Sequence, residues 1–384
     1  MKQKMISYLS TCDVEFENLC KYMYENPEES YKEKEASKEI CNLLKKHDFN
    51  IETEFLDIPN AFIATKGNTY PRICFLCQYD AIKDKGHITA HNALTTTSCI
   101  AGVCLGEILK HLDRGSVVII GCPGEYLGGT KDVMLKQGIF NDIDAVLMAH
   151  PDITTCESGS SSAIIPLSIQ FKGEDGLSFL SQKEYSSLDA VLLTFSILNT
   201  LIKGFPEGVE VNYILSEGGK TPLLIPLESE AKFFIRAKNI ELALVIENKI
   251  REIARYVGKL MKVSPSYSLY EPPYEELVSN TTLNRLFSHN FKECGVINIC
   301  HNRDINAGIS LGAISKKVPA IHPYFSIIED EKTQYGTSEF AKCTVSEFGL
   351  DMCKKAGLAL AFTGLDLITN DVLLNEAKSE LSKK

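Results

Sequence analysis

Basic stretches are missing from this sequence. Its 40 Lys and Arg are outnumbered by 50 Asp and Glu, leaving a net charge of −10. Without a cluster of cations to neutralise phosphates, a nucleic-acid partner is excluded. Also missing is an uninterrupted run of about 20 apolar residues, the length a membrane-crossing helix needs, so no membrane partner is expected. The opening "MKQKMISYLSTCDVEF" lacks the apolar centre of a signal peptide, and the expected location is the cytoplasm. Cys74 and Cys77 in "RICFLC" have zinc-like C-x-x-C spacing, but no second pair follows at finger spacing. The 13 cysteines are read mostly as buried thiols of a reducing compartment.

What is present is ordinary globular material in quantity: 384 residues, 44% hydrophobic and 23% charged, enough for two domains or for one inserted in another. The mixed-charge run "EESYKEKEASKEICNLLKKHDF" reads as the solvated face of an amphipathic helix over 28–46. Beyond it, continuous apolar strands ("RICFLCQYD", "GSVVIIG", "DAVLMAHP") alternate with helices, as in a largely parallel sheet covered on both faces. The middle switches to half-exposed alternating strands ("IIPLSIQFKG", "GVEVNYILSEGG", "ESEAKFFIRA") with helices over about 187–203 and 240–258. That strand–helix–strand–strand–helix–strand order is ferredoxin-like α+β. The expectation is an α/β domain from residues 1–164 plus 278–384, with 165–277 inserted.

The stretches that carry chemistry are "QYDAIKDKGHITAHN", "GCPGEYLGGTKDVMLKQGIFNDIDAVLMAHP", "GGKTPLLIP" and "VPAIHPYF". Two histidines four apart beside acidic residues suggest metal ligation. In their order and spacing these stretches resemble the metallo-amidohydrolases of peptidase family M20, in the branch of the aminobenzoyl-glutamate hydrolases and Xaa-Arg dipeptidases. The resemblance implies a zinc-exopeptidase-like α/β domain, an inserted ferredoxin-like lid and dimerisation domain, and a homodimer. It also implies amide hydrolysis of dipeptides or N-acyl amino acids by two metal ions.

Carried over position by position, the resemblance makes His91 and His150 metal ligands, Glu125 the general base and Asp80 a supporting residue. It also exposes losses. The bridging cysteine falls on Thr89, a carboxylate ligand on Tyr126, and a late ligand histidine on Gly336. Two polar lid positions fall on Leu177 and Leu223, and an aspartate on Ser310. His322 belongs to the fold, since "IHPYF" occurs in relatives beside the late histidine. Thr, Tyr and Gly cannot supply the negative charge that holds two dications together. The expectation is a pseudoenzyme with a vestigial base at Glu125, no cofactor, and a peptide-like or N-acyl-amino-acid-like small ligand. The alternative is an active hydrolase. It would use one weakly bound zinc or manganese on His91 and His150, or a metal-free site using Tyr126 or one of Cys99, Cys104 and Cys122.

Overall fold

A computed structural model describes residues 1–180 and 185–382. The chain forms two compact units, one of Met1–Ser160, Leu277–Asp304 and Ala313–Lys384, the other of Ser161–Glu276 with Ile305–Gly312.

In the larger unit a six-stranded sheet has the order Asn50–Thr53, Phe62–Lys66, Ser116–Gly121, Arg72–Cys77, Ala145–Leu147, Ala320–Ile321. The last four run parallel to one another, and the first two join antiparallel. "SVVIIG" is buried throughout and "RICFLC" at all but its first residue, which is why both read as unbroken apolar runs. The helix His91–Ile108 buries almost every side chain. Its "TTTS" hydroxyls stay satisfied: Ser98 donates to the Leu76 carbonyl at 2.6 Å and Thr95 to that of Gln78. A Cβ at Gly102 would lie 2.4 Å from Ile119 Cδ1, so glycine sets how closely this helix meets the sheet. A second four-stranded sheet has the order Cys300–Ile305, Cys156–Ser161, Tyr324–Ser326, His150–Asp152.

One local expectation is corrected. The amphipathic helix starts at Lys34 rather than 28; the Glu28 carboxylate accepts the Glu35 and Ala36 N–H groups at 3.2 and 2.8 Å and so caps it. The N-terminal segment is more than a stretch without a signal: it forms the helix Lys2–Glu25. It is held by Met5, Leu9, Cys12, Phe16, Leu19 and Met23, all buried at helical spacing.

The smaller unit has one antiparallel sheet in the order Glu210–Glu217, Glu228–Ala237, Ala163–Lys172, Ser264–Leu269, with helices Ser187–Leu201 and Ile240–Met261. Burial alternates strictly along Glu228–Ala237, as one covered face requires. Its elements follow in the expected strand–helix–strand–strand–helix–strand order. Residues 305–312 join this unit rather than the larger one expected from the sequence. Ser162 fastens them, its N–H to the Ala307 carbonyl at 3.1 Å and its hydroxyl to Asn306 at 2.8 Å.

By length and composition, His91–His111 and Ser187–Gly204 are apolar enough to cross a membrane, although polar residues interrupt both. The first spends its apolarity inside the protein, with 89% of its apolar window buried, against 28% for the second.

Candidate functional site

Asp80 organises the site. Its carboxylate, fully buried, accepts from His91 Nδ1 at 2.8 Å, Ser30 Oγ at 2.7 Å and the Tyr126 N–H at 3.0 Å. Burial opposes its charge, but the bonds from His91, Ser30 and Tyr126 together hold its pKa below the usual carboxylate value. The position is built locally. Asp80 follows the strand Arg72–Cys77, and His91 is the first residue of the next helix, entered through Ala90 in the left-handed region at φ 64°.

Because the His91 Nδ1 neighbours, the Asp80 carboxylate and carbonyl, can only accept, that nitrogen carries a proton. His150 follows the same logic, with Nδ1 donating to the Pro151 carbonyl at 2.7 Å. Their rings lie 6.0 Å apart. His322 packs 5.4 Å from His150; its Nδ1 is buried without a hydrogen-bond partner among the described residues. Burial, then the neighbouring imidazoles, keep His150 and His322 neutral: His150 is lowered to about 4 and His322 well below its ordinary value. His87, in the loop just before His91, is turned into the core and lowered by burial to about 3.

The replaced ligand positions meet each other. The Thr89 hydroxyl is hydrogen-bonded to the Tyr126 phenol, and the Tyr126 ring stacks on His91 at 4.7 Å, 16° from parallel. Burial raises the Tyr126 pKa, so the phenol remains neutral. Gly336 brings no side chain and sits at φ +80°. The neighbouring Tyr335 is the residue that approaches, its ring 6.4 Å from His150.

Glu125 opens a short 3-10 turn between Gly124 and Gly128, both with positive φ. Its carboxylate pairs with Lys131 at 2.7 Å; the lysine side chain is fully buried and the glutamate 13% exposed. This partner was missed in the sequence. Its signal was a lysine opening the short helical turn "KDVML", six residues after Glu125. Glu33 was missed too: one oxygen accepts the Gly124 N–H at 2.7 Å while the other is buried without a partner, and burial raises its pKa to about 7.

The remaining candidates lie elsewhere. Leu177 and Leu223 are in the smaller unit, where Gly176–Leu177 pairs with Leu224–Ile225 and the Ser178 N–H reaches the Leu223 carbonyl at 2.9 Å. Ser310 is buried in the same unit. Cys99, Cys104 and Cys122 are buried, and burial pushes the Cys122 thiol to about 12, which deprives it of the thiolate a nucleophile needs.

The donor set does not fit two metals. Among the described residues, no group of three or more His, Cys, Asp or Glu is arranged to hold a metal ion. His91 and His150 offer two imidazole nitrogens, and the positions beside them carry a hydroxyl and a neutral phenol.

No protein-family profile matches the chain. The Xaa-Arg dipeptidase of Mus musculus is 25% identical over 384 residues, covering 95% of this chain and 88% of its own. A p-aminobenzoyl-glutamate hydrolase from Escherichia coli is 28% identical over 260 residues, 62% of this chain and 54% of its own. Among solved structures, a dinuclear metal binding peptidase of the M20 family from Bacillus subtilis superposes with a TM-score of 0.66 at 17% identity, covering 91% of this chain and 98% of that one. An aminobenzoyl-glutamate utilization protein from Klebsiella pneumoniae gives 0.67 at 11%, covering 93% and 98%. These structural likenesses establish the fold, a mixed parallel sheet with a separate antiparallel one. With the distant dipeptidase similarity along 95% of this chain, the chain is similar over nearly its whole length to the peptidases and amidohydrolases of the M20 family.

Proposed function

We propose that this chain is a member of the family that has given up dinuclear hydrolysis and uses the imidazole and phenol surface of its larger unit to hold a peptide-like or N-acyl-amino-acid-like ligand. The observation that carries this reading is the Thr89–Tyr126 hydrogen bond, with Tyr126 stacked on His91. The two positions that would supply bridging and carboxylate charge satisfy each other instead. A pair of dications a few Å apart needs anionic ligands to offset their repulsion, and none is supplied here. Lys131 adds the opposite charge beside Glu125.

Elemental analysis of the purified protein, followed by zinc and manganese titration and an amidase assay on dipeptides and N-acyl amino acids, tests the reading. The expected result is well under one metal per chain and no appreciable hydrolysis. Tight binding of one or two metals, with robust amidase activity that Glu125→Ala abolishes, would overturn it.

One observation favours a second reading. Asp80 orients His91 as a carboxylate orients a metal-ligating imidazole, and His150 likewise presents Nε2. A single zinc or manganese on these two residues, with Glu125 as base, would then give a reduced hydrolase. One equivalent of metal, lost in His91→Ala, distinguishes it.

Assembly belongs to the same proposal. Leu201 on the helix Ser187–Leu201, and Ile214 and Leu215 on the edge strand Glu210–Glu217, stand exposed. An apolar helix beside an open strand edge suits a two-fold copy of itself, so a homodimer is proposed, with the cytoplasm as its location.

A further inference from the structure

We infer that Cys156 and Cys300 are a cross-strand thiol pair that a small disulfide oxidant closes into an intramolecular disulfide. The strand Cys300–Ile305 lies beside Cys156–Ser161 in the second four-stranded sheet. The backbone fixes which residues face each other. The Cys300 N–H donates to the Thr155 carbonyl at 2.9 Å, a Cβ at Gly159 would strike the Arg303 carbonyl, and the Ser160 N–H reaches the Asp304 carboxylate at 2.8 Å. Partners advance together along both strands, so the strands run in the same direction with Cys300 opposite Cys156. Adjacent strands lie roughly 4.8 Å apart, inside the roughly 4.4–6.8 Å Cα separation that a disulfide spans. Opposite residues also send their side chains to the same face. The Cys300 thiol is near enough to contribute to the raised pKa of Cys156.

Access differs along the chain. Ten of the cysteines are buried, Cys294 and Cys343 are half-buried, and Cys300 is exposed. Burial raises the pKa of Cys156, so Cys300 meets the oxidant first and Cys156 resolves. With glutathione disulfide the Cys300 thiolate attacks one sulfur, forming a mixed disulfide and releasing one glutathione thiolate, which takes up a proton. The Cys156 thiolate then attacks the Cys300 sulfur and expels the second glutathione. Two protein thiols lose two electrons, and one glutathione disulfide is reduced to two thiols. Cys156 is paired with Tyr324, and Tyr324 is in register with His150. The bond therefore forms in the sheet that carries the imidazole cluster.

The test uses the full chain, treated with glutathione disulfide, blocked with N-ethylmaleimide and mapped by peptide mass spectrometry. The expected product is one linked peptide pair containing Cys156 and Cys300, two hydrogens lighter and restored by dithiothreitol. In Cys156→Ser the reaction should stop at glutathionylated Cys300, and in Cys300→Ser Cys156 should stay reduced. Glutathione retained on Cys300 of the unmodified chain with Cys156 free, or a linkage from Cys300 to Cys294 or Cys343, would overturn the inference. That mapping is made on the unmodified chain, so it decides the question even where a serine variant fails to fold.

Discussion

The larger unit encloses Asp80, Lys131, His150 and His322, while the smaller one leaves Leu201, Ile214 and Leu215 in solvent. Both arrangements are costly in isolation. A buried ionised or polar group must find partners, and an exposed apolar group forgoes the gain of burial. In the larger unit the cost is met internally: Asp80 has three donors and Lys131 a carboxylate. In the smaller unit the apolar side chains of an edge strand and its neighbouring helix have no internal answer. The contrast teaches where to look for each kind of role. The larger unit holds a polar constellation whose members satisfy one another, and the smaller one leaves the apolar surface that the proposed dimer would cover.

The contrast breaks most severely at Lys131. Lys131→Met should destabilise the protein by about 3 kcal/mol, the usual cost of removing one partner of a buried ion pair, measured by urea denaturation. Glu125→Gln should cost less, because an amide oxygen still accepts from the ammonium. A full loss in Lys131→Met with none in Glu125→Gln would mean that the lysine acts through packing alone.

Acid should act on the larger unit next. His150, His87 and His322 are all depressed below the ordinary 6.5, the first two to about 4 and about 3. Between these values and 6.5 the unfolded chain binds protons that the folded one refuses, so stability falls as the pH drops from 6.5 towards 4. Glu33, raised to about 7, opposes this, since its contribution is full below its unfolded value and fades as the pH rises through 7. Three imidazoles outweigh one carboxyl, and the urea midpoint should decline through that window. Replacing His150 with Gln should flatten the decline.

Restoring charge where Thr89 and Tyr126 now satisfy each other sharpens the comparison further. Thr89→Cys with Tyr126→Glu should raise zinc affinity beyond the product of the single effects by about tenfold, a coupling of about 1.4 kcal/mol typical of residues in one network. Isothermal titration reads it. Adding Tyr335→His should help, whereas Gly336→His would force a β-carbon into φ +80° and should help less.

The smallest stability change is expected in the smaller unit. Leu201→Glu or Ile214→Glu should shift stability by no more than about 0.5 kcal/mol, as surface changes do, while light scattering reports a fall from dimer to monomer mass. A monomer before mutation would remove the proposed partner from the comparison.

The sequence by itself determined the architecture. Unbroken apolar runs such as "SVVIIG" could only be strands buried on both faces, and the alternation in "ESEAKFFIRA" could only face one covered side, because burial periodicity follows from backbone geometry. The resemblance also singled out Asp80, His91, Glu125 and His150, of which Asp80 and His91 meet in a hydrogen bond, and it named the replaced positions Thr89 and Tyr126. The N-terminal helix was legible in its spacing of Met5, Leu9, Cys12 and Phe16, yet the charges between them obscured it. Tertiary structure alone decided what those positions do to one another. Thr89 and Tyr126 are 37 residues apart in sequence and hydrogen-bonded in space, Tyr335 rather than Gly336 meets His150, and Cys300 stands opposite Cys156 across two strands. Each is a pairing between distant segments, set by how strands and loops pack, and no local pattern records which partner a side chain will find.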